Sequence, residues 1–358
     1  MAPLSVAFAR RVRARDPTEL NILLIQLKRI GDLILTTPAI AAVRQRFPEA
    51  RITLVISEDS EAVAPAITDV NELLIMPRGF GALRTLGRII GRKFDYCIDF
   101  TRNDRSALIV LLSRAKKRVV SFRIKVRAKF RTRFYNEFVQ HRMRDMHTTD
   151  YHLALLEPLG ISKPSTKIQL ELPESVQQNA IELLESANVR RPFIIFHPGS
   201  ARAEKYWNAQ RWAEVINHAH ERSDVDLVLT GGSSTIEQTH IGDIKSKLRA
   251  EIVDLSAKTN LLTLAALIAR ARLLVTVDSA PMHLAAATGT PQIILFGPTN
   301  PFHWRPRDSV AIILQGDSIS PMTQFVPKQP RIPMNQISTK AVIDAMESLL
   351  SSPAVQPS

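Results

Sequence analysis

Cysteine and long uncharged stretches are what this sequence most clearly lacks. Cys97 is the only cysteine among 358 residues, so an intramolecular disulfide is excluded and a cytoplasmic location is expected. No stretch of about 20 residues is free of charge, as a membrane-spanning helix requires. The best candidate, residues 261–277, is interrupted by Arg270 and Arg272. The N-terminal basic residues follow a short apolar piece, the reverse of a signal peptide, so we expect no secretion.

Several motifs that identify common enzyme classes are also missing. The sequence has no GxxxxGK[ST] loop, which argues against a P-loop ATPase. It has no clean GxGxxG after its first predicted strand, which argues against a nicotinamide dehydrogenase. No GxSxG elbow is present, and no His/Cys cluster has the spacing of a zinc site. The chemistry of this chain therefore depends on other residues.

Positive charge is concentrated in one stretch of the chain. The formal net charge is +13, and residues 114–144 hold twelve Lys or Arg against one acid, Glu137, so all other residues together carry about +2. Such a local excess attracts anions: nucleic acid, phosphorylated lipid head groups or an acidic membrane. A merely solvated basic face is the simpler alternative. No RRM or helix-turn-helix signature is present, so we expect no nucleic acid as a partner.

Both halves of the chain alternate between strand-like and helix-like segments. Apolar runs without strict alternation are typical of parallel strands covered by helices on both faces. The predicted strands are 21–27, 51–57, 72–76, 94–100, 117–122, 191–197, 225–230, 251–255, 273–277 and 291–296. The predicted helices are 33–47, 81–91, 105–114, 148–159, 209–221, 235–248, 261–271, 281–288 and 339–350. Residues 298–337 are proline-rich and are expected to be irregular.

This alternation predicts an α/β chain with two Rossmann-like parallel-sheet domains that face a central cleft. We place the first domain at residues 21–172 and the second at 173–337. A basic segment, 1–20, precedes them, and a last helix with its tail, 338–358, follows. With 45% hydrophobic residues, the chain is apolar enough to fold into packed domains.

Small and polar residues follow four predicted strands of the second half. The segments are HPGS at 197–200, GGSS at 231–234, DSAP at 278–281 and GPT at 297–299. Because the carboxyl ends of parallel strands meet at one edge of the sheet, we expect these loops to line one ligand site. Ser279 as N-cap and Pro281 in the first turn predict a helix start whose N–H groups suit a phosphate.

Three titratable side chains near these loops suit a ligand that carries a nucleotide. Lys205 offers a point charge for a diphosphate, and Glu237 offers acceptors for ribose hydroxyls. The third side chain is His283. Glu237 and His283 also have plainer interpretations: Glu237 is a first-turn acid that interacts with its own helix dipole, and His283 is a buried histidine bonded to a carbonyl. Their common position at one sheet edge favours the nucleotide.

Three segments resemble the signature regions of a known enzyme family. They are LLIQLKRIGDLILTTPAIAAVRQRFPEARITLVIS, FHPGSARAEKYWNAQRWAEVI and VTVDSAPMHLAAATGTPQIILFGPTNPFHWRPRD. In this order and spacing, with LALLEPLG at 153–160, they are similar to the ADP-heptose:lipopolysaccharide heptosyltransferases of glycosyltransferase family 9. The resemblance covers residues 21–310. The EKYW and HWRP segments are more similar to the branch that adds the third heptose of the core.

The resemblance implies a GT-B architecture and an inverting transfer of heptose from ADP-heptose to a sugar hydroxyl of the lipopolysaccharide inner core. It places this reaction at the cytoplasmic face of the inner membrane of a Gram-negative bacterium, in a monomer that needs no metal or other cofactor. The first domain would bind the acceptor and the second the donor. The implied donor-binding residues are Ser200, Lys205, Glu237, Asp278, Ser279, Ala280 and His283.

Asp32 directly follows the first strand, in the segment KRIGD at 28–32. From the residues alone, a carboxylate at a helix start is first a helix cap; the resemblance implies instead that Asp32 is the catalytic base. We expect the helix start to keep Asp32 ionised and therefore a weaker base, and Gly31 to let the substrates approach the backbone. The candidate acceptor-binding residues are Lys28, Arg29, Asp99, Thr101, Arg102 and Asp104.

The basic stretch, 114–144, then suits a phosphorylated acceptor at an anionic membrane surface. Aromatic residues interleave with its charges: Phe122, Phe130, Phe134 and Tyr135. The N-terminal segment, 1–15, is a second candidate for membrane contact. Two other functions stay open: a GT-B enzyme with another nucleotide-sugar donor or a protein acceptor, and a non-catalytic nucleotide-sugar-binding protein. An Asp32→Asn variant separates a binding protein, which would lose nothing, from an enzyme, which would lose turnover.

Overall fold

The computed structural model describes residues 20–222, 224–317 and 320–351, so residues 1–15 lie outside the described part. Each half of the chain forms a sheet of six parallel strands. The first sheet contains β1 (Asn21–Gln26), β2 (Arg51–Ser57), β3 (Glu72–Met76), β4 (Tyr96–Asp99), β5 (Lys117–Ser121) and β6 (Glu137–Val139). The second contains β7 (Phe193–His197), β8 (Asp226–Leu229), β9 (Val253–Asp254), β10 (Leu273–Val277), β11 (Gln292–Phe296) and β12 (Ala311–Gln315).

Both sheets have the doubly wound strand order. The first is ordered β3-β2-β1-β4-β5-β6, and the second β12-β11-β10-β7-β8-β9. The order reverses between β1 and β4 in one sheet and between β7 and β10 in the other, and the loops diverge there to leave a crevice. The predicted α/β architecture, with two parallel-sheet domains, is confirmed.

Helices connect the strands and cover the sheets. In the first half they are Ile30–Ile34, Thr37–Arg46, Ala82–Ile90, Asp104–Ser113, Arg123–Arg127 and Thr148–Ala154. In the second half they are Glu174–Ser186, Ala209–Arg222, Thr235–Lys245, Leu261–Arg270, Ala280–Thr288, Pro301–Trp304 and Thr339–Ser351. Short 3₁₀ segments lie at Glu58–Ala66, Gly79–Gly81, Arg131–Phe134, Met143–Asp145, Glu157–Leu159, Ala203–Lys205 and Met334–Gln336. None of the helices in the described ranges is both long and apolar enough to cross a bilayer.

The predicted helix 33–47 is in fact two helices, Ile30–Ile34 and Thr37–Arg46. The break follows from Pro38, whose ring would clash with the carbonyl four residues earlier, that of Ile34, in a continuous helix. Pro38 instead lies in the first turn of the second helix, where a proline is tolerated. The short first helix therefore starts three residues earlier than predicted and carries the KRIGD segment into the crevice.

Several of these helices and strands were not predicted. The strand β12 and the helix Pro301–Trp304 lie within the region expected to be irregular. The strand β6 has only three residues, at a sheet edge, and its signal is lost among the basic residues around it. The helix Glu174–Ser186 is mostly polar and buries only Ala180 and Leu184. Each is short or weakly apolar, so periodicity alone carries little signal for it.

The packing of β1 on both of its faces explains why its apolar run is continuous. Ile22 and Leu24 pack into one hydrophobic cluster, whereas Leu23 and Ile25 pack into another on the opposite face. The first of these clusters extends without interruption into the second domain, where it includes residues of β7, β10 and the helix 261–270. The two domains are therefore packed against each other, and the crevices of the two sheets meet.

Candidate active site

A cavity of about 630 Å³ lies where the two crevices meet. Its walls come from the loops that follow strands of both sheets, as the topology predicts for an α/β ligand site. Nine of the predicted site residues line it: Arg29, Asp32, Ser200, Lys205, Glu237, Asp278, Ser279, Ala280 and His283. The structure thus brings the candidate base from the first domain and the candidate donor-binding residues from the second to one place.

Asp32 lies inside the helix Ile30–Ile34 and does not cap it, since the N-cap position belongs to Arg29. Its Oδ1 atom is 3.5 Å from Lys28 Nζ, and only 8% of the residue is exposed. Burial raises the pKa of Asp32, against the opposing effect of the Lys28 and Arg29 charges. The expectation that the helix start makes Asp32 a weaker base is wrong, because burial raises the pKa of its carboxyl group.

Lys28 is the partner of this carboxylate, one helical turn before it. Burial lowers the pKa of Lys28, and the nearby Asp32 carboxylate opposes that shift. Lys28 was predicted to contact the acceptor, but its side chain lies in the buried pair and not among the cavity-lining residues. Its observed position allows it to set the charge state of Asp32.

The structure shows a role for the small size of Gly31 that the sequence did not predict. A Cβ atom on Gly31 would lie 3.1 Å from Cδ2 and 3.2 Å from Nε2 of the His283 ring. The missing side chain therefore lets the helix 30–34 of the first domain approach the helix 280–288 of the second. Gly31 is therefore needed for the fit between the two domains, and its role in the approach of a substrate stays a prediction.

Lys205 and Asp278 form a buried ion pair on the donor side. Lys205 Nζ donates to Asp278 Oδ2 at 2.6 Å and to the Asp278 carbonyl at 2.9 Å. The side chains are 12% and 6% exposed, respectively. The pair keeps an ammonium group fixed beside the start of the helix 280–288, where Ser279 holds the N-cap position and Pro281 the first turn, as predicted.

His283 lies in that first turn, with Nδ1 buried and unpaired within the described part of the chain. Burial lowers the pKa of His283 to about 4, so its ring is neutral at pH 7. A neutral imidazole still offers an N–H donor to a ligand but no positive charge. The charge needed for a diphosphate therefore has to come from Lys205 and the helix start.

Glu237 occupies space that two glycines leave open. Its Oε1 atom accepts a hydrogen bond from the Gly232 N–H at 2.6 Å. A Cβ atom on Gly199 would lie 1.7 Å from Glu237 Oε1, and one on Gly232 would lie 2.7 Å from Oε2. Glu237 is a first-turn acid of its helix, as the plainer interpretation held, and its carboxylate also lines the cavity. The two interpretations are compatible.

The variant Gly199→Ala is expected to displace the Glu237 carboxylate from the Gly232 N–H. We expect a loss of about 1–3 kcal/mol in the free energy of unfolding, because a buried hydrogen bond breaks, together with weaker ADP binding. Thermal unfolding and calorimetric titration with ADP measure the two effects. Gly242→Ala is the matched control, because its Cβ meets no atom within 4 Å. If Gly199→Ala costs as much in a Glu237→Ala background, the clash is not the cause.

Two predicted acceptor residues are placed elsewhere. Asp99 is fully buried, and its carboxylate accepts bonds from the backbone N–H groups of Thr101 and Arg102, from Ser106 Oγ and from the Tyr135 hydroxyl. Its oxygens are thus committed to shaping the loop after β4. Asp104 projects into solvent, 92% exposed, 3.2 Å from Arg131 Nε. The burial of Asp99 and its four hydrogen bonds contradict its assignment to acceptor binding, whereas the assignment of the exposed Asp104 stays a prediction.

Thr101 and Arg102 line a second cavity, of about 640 Å³. Five arginines surround it, and we call it the arginine pocket: Arg102, Arg123, Arg127, Arg131 and Arg144. Four of them belong to the basic stretch 114–144. Trp304 lines this pocket and the first cavity alike, so the two are neighbours.

The sequence interpretation missed part of the cavity wall. Thr259, Asn260, Leu261 and Leu264 line it from the loop after β9 and the helix that begins there. The missed signal was Asn260, a good N-cap residue after a strand, whose side chain accepts the Thr263 N–H at 2.8 Å. Trp304 was missed because its helix was not predicted.

Within residues 20–222, 224–317 and 320–351, no three His, Cys, Asp or Glu side chains come together as a metal site would require. His197 Nε2 lies 4.0 Å from Glu237 Oε1, a distance at which a protonated His197 would form an ion pair. Burial, however, lowers the pKa of His197 to about 4. His197 is therefore neutral at pH 7, and its Nδ1 is bonded to Thr230 Oγ1 at 2.9 Å.

Comparison with known proteins identifies the family of this chain. The profile of glycosyltransferase family 9 (heptosyltransferase) matches residues 83–331. The chain is 27% identical to lipopolysaccharide heptosyltransferase 3 of Escherichia coli K12, over 89% of this chain and 95% of that protein. The similarity to this relative agrees with the predicted resemblance to the branch that adds the third heptose.

Solved structures share the fold. A family 9 glycosyltransferase from Veillonella parvula superposes with a TM-score of 0.81 at 25% identity, covering 93% of this chain and 98% of that one. E. coli heptosyltransferase WaaC, solved with ADP-2-deoxy-2-fluoro heptose, superposes with a TM-score of 0.66 at 18% identity, covering 92% and 99%. The family profile covers more than half of the chain, and the solved family members share its fold. This protein belongs to glycosyltransferase family 9, the heptosyltransferases.

Proposed function

We propose that this enzyme transfers heptose from ADP-heptose to a sugar hydroxyl of the lipopolysaccharide inner core, with inversion at the anomeric carbon. The observation that carries the proposal is the placement of Asp32, a buried carboxylate of the first domain, in one cavity with Lys205, Glu237 and Asp278 of the second. The names of its relatives supply the donor and acceptor: a lipopolysaccharide heptosyltransferase and a heptosyltransferase solved with an ADP-heptose analogue.

The second domain would hold the donor. Glu237 would accept hydrogen bonds from the ribose hydroxyls, while Lys205, Ser200 and the helix start at Ser279–Ala280 would hold the diphosphate. Asp278 would bind hydroxyls of the heptose, and the neutral His283 would donate an N–H to the departing diphosphate. The cavity is large enough for a ligand of this size. No residue in this scheme requires a metal ion, and metal independence stays a prediction.

The first domain would supply the base. In an inverting displacement, the acceptor oxygen attacks the anomeric carbon as the bond to ADP breaks on the opposite face. Asp32 would take the proton of that hydroxyl as the new bond forms, since it faces the donor site from across the cleft. Because burial raises the pKa of Asp32, proton transfer to it is more favourable than transfer to a solvent-exposed aspartate.

The remaining predictions concern location. We propose that the enzyme works as a monomer at the cytoplasmic face of the inner membrane, attached by its basic stretch. Three apolar side chains in that stretch project outward among the charges: Phe122, Val126 and Phe130, exposed by 36%, 72% and 69%. Such a mixture of basic and exposed apolar residues suits the surface of an anionic bilayer.

Calorimetric titration of the purified protein with ADP, UDP and GDP, with and without Mg²⁺, tests the donor. We expect selective ADP binding that Mg²⁺ does not change. A preference for UDP or GDP would favour the alternative, a GT-B enzyme with another donor, and would sink the heptose assignment while leaving the fold intact. Selective ADP binding without any turnover of ADP-heptose on lipopolysaccharide cores would favour a non-catalytic protein or a protein acceptor.

A further inference from the structure

Most of the exposed apolar side chains in the described part of the chain lie on one layer of helices. Eleven large apolar side chains are well exposed within the described ranges. Single exposed apolar residues are ordinary, whereas a contiguous group of them marks an interaction surface. Eight of the eleven belong to the helices and connections that cover one face of the first sheet: Phe80, Leu83, Ile90, Leu108, Leu111, Phe122, Val126 and Phe130.

This layer lies on the side of the first sheet that faces away from the second domain. Its helices bury Ile89 and Ile124 in the cluster that contains Ile25 of β1, and all members of that cluster belong to the first domain. The second domain packs against the cluster on the opposite face of β1. The outer side of the layer is therefore free to contact another molecule.

The helix Asp104–Ser113 is apolar on its outer side as well as on the side that faces the core. Its inward residues are buried, and on its outer side Leu108 and Leu111 are exposed. No charged residue lies between Arg105 and Arg114. Because a helix that is apolar all round is typically buried, this uncovered outer side indicates that something apolar contacts it.

The helix Ala82–Ile90 also exposes apolar residues, and it adds positive charge. Only two of its nine residues are buried. Leu83, 65% exposed, and Ile90 share its outer side, since they are seven residues apart. Arg84 and Arg88 are exposed as well, and this helix contains no acid. A basic helix with an exposed apolar side suits the surface of an anionic membrane.

Phe80 lies one turn before Leu83 and is 92% exposed, more than any other large apolar side chain in the described ranges. It belongs to the short 3₁₀ segment Gly79–Gly81, in which Gly79 has a left-handed backbone with φ of 67°. A Cβ atom on Gly79 would meet no other atom within 4 Å, so the glycine serves the turn and not the packing. The turn places an aromatic ring in solvent at the start of the helix.

Side-chain hydrogen bonds join the two helices at both ends. Arg105 Nη2, at the start of the second helix, donates to the Pro77 carbonyl at 2.9 Å, just before the first helix. Arg114 Nη2, after the end of the second helix, donates to the Ile90 carbonyl at 2.7 Å. The helices therefore lie side by side in the same direction, and their outer residues form one surface. We call it the apolar face: Phe80, Leu83, Ile90, Leu108 and Leu111.

We infer that the apolar face inserts into the acyl chains of an anionic membrane, with Phe80 and Leu83 entering deepest. The inference rests on the proposed function for the location at a membrane, and it adds a hydrophobic attachment to the electrostatic one assigned to the basic stretch. The helix 123–127 of that stretch lies in the same layer, through the burial of Ile124. Both attachments can therefore meet one bilayer.

The charge beside the apolar face favours a bilayer over a second copy of the chain. In a twofold dimer this surface would meet itself, which would bring Arg84 and Arg88 of both copies into one interface. Like charges at an interface repel one another. The negative head groups of a membrane would instead neutralise them, and each basic residue near such a surface adds to the attraction.

Vesicle flotation at low and high salt tests the inference, with vesicles of phosphatidylglycerol and phosphatidylethanolamine as the probe. At about 1 M salt the Debye length is about 3 Å, so an enzyme held by charge alone is released. We expect the wild type to stay bound at this salt. Phe80→Ser/Leu83→Ser should bind at least about tenfold more weakly there, because two apolar side chains are lost from the bilayer.

Two further variants separate the apolar contribution from that of charge. Val310→Ser/Val326→Ser is the matched control, because it removes two exposed apolar side chains of the second domain, and it should change vesicle binding by less than about twofold. Arg84→Gln/Arg88→Gln should weaken binding at low salt at least about fivefold and leave binding at high salt unchanged.

The variant Phe80→Trp measures insertion directly. The three tryptophans of the chain, Trp207, Trp212 and Trp304, all belong to the second domain, so the wild type serves as the blank. Bromine quenches indole fluorescence on contact. Lipids brominated within their acyl chains should therefore quench the emission of Phe80→Trp and leave that of the wild type unchanged.

Three results would overturn the inference. Release of the wild type at high salt, or wild-type binding by Phe80→Ser/Leu83→Ser, would mean that charge alone holds the enzyme. An unquenched Phe80→Trp on bound vesicles would mean that the apolar face stays outside the acyl chains. If the wild type sedimented as a dimer, and Phe80→Ser/Leu83→Ser as a monomer that still bound vesicles fully, the face would be an interface between copies.

The proposed function is judged separately in the same samples. Calorimetric ADP affinity should be the same in the wild type and all these variants, because none of the substituted residues lines the donor cavity. Loss of ADP binding by the wild type would count against the donor assignment and not against the apolar face. Normal ADP binding with no flotation at either salt would overturn both the membrane location and the inference, and would leave the donor assignment intact.

Discussion

The variant Asp32→Asn should lose turnover by about 10²- to 10⁴-fold while its affinity for ADP stays within about twofold of the wild type. An amide has nearly the shape of the carboxylate but cannot take the proton of the attacking hydroxyl. ADP contacts are assigned to the second domain, so they should survive. Release of ADP from ADP-heptose in the presence of acceptor measures turnover, and calorimetry measures binding. Asp243→Asn, an exposed carboxylate on the helix 235–245, is the control.

The pH profile of the wild type tests the same assignment independently. A general base works only when ionised, so activity should fall as the pH decreases through the pKa of Asp32. Because burial raises that pKa, the fall should begin at a higher pH than the ordinary aspartate value of about 4 would give. Lys28→Met removes a positive charge that opposes the shift, and should move the acid limb to still higher pH. Substantial activity in Asp32→Asn, or an acid limb indifferent to Lys28→Met, would mean that another group is the base.

The fold was largely predictable because its signals are local. The strands β2, β3 and β10 have the predicted bounds, since a strand buried on both faces needs a continuous apolar run and turn residues at its ends. The donor-side loops were predictable for the same reason: parallel strands bring their carboxyl ends to one edge. Where a signal was short, as in β6, or a proline fell inside a helical pattern, as Pro38 does, the prediction failed.

The electrostatics of the site could not be predicted in the same way, because they depend on contacts between distant segments. Asp32 and Asp99 are both acids near the carboxyl end of a strand, and no local pattern distinguishes them. Asp32 is buried beside one lysine, in a helix that contacts the helix 280–288 of the second domain, whereas Asp99 is buried among four donors. The charge of residues 114–144 was evident from composition, but the convergence of Arg123, Arg127 and Arg144 with Arg102 needed the folded chain.

Removal of the Lys205 ammonium should be the second most damaging change. Lys205→Met leaves the Asp278 carboxylate buried without its cation, and we expect the free energy of unfolding to fall by about 3–5 kcal/mol. ADP affinity should fall by about 2–4 kcal/mol, a factor of roughly 30 to 1,000, if Lys205 also holds the diphosphate. Chemical denaturation and calorimetric titration with ADP measure the two quantities. The stability loss alone does not establish a role in binding, because the ion pair explains it.

The double variant Lys205→Met/Asp278→Asn separates the two roles. It removes both charges of the buried pair, so most of the lost stability should return. If Lys205 binds the diphosphate, ADP affinity should remain as low as in Lys205→Met, because the cation is still missing and Asp278 is assigned to the sugar that ADP lacks. If ADP affinity returns to the wild-type value, Lys205 serves only to neutralise Asp278. In that case the helix start at Ser279–Ala280 would have to hold the diphosphate without it.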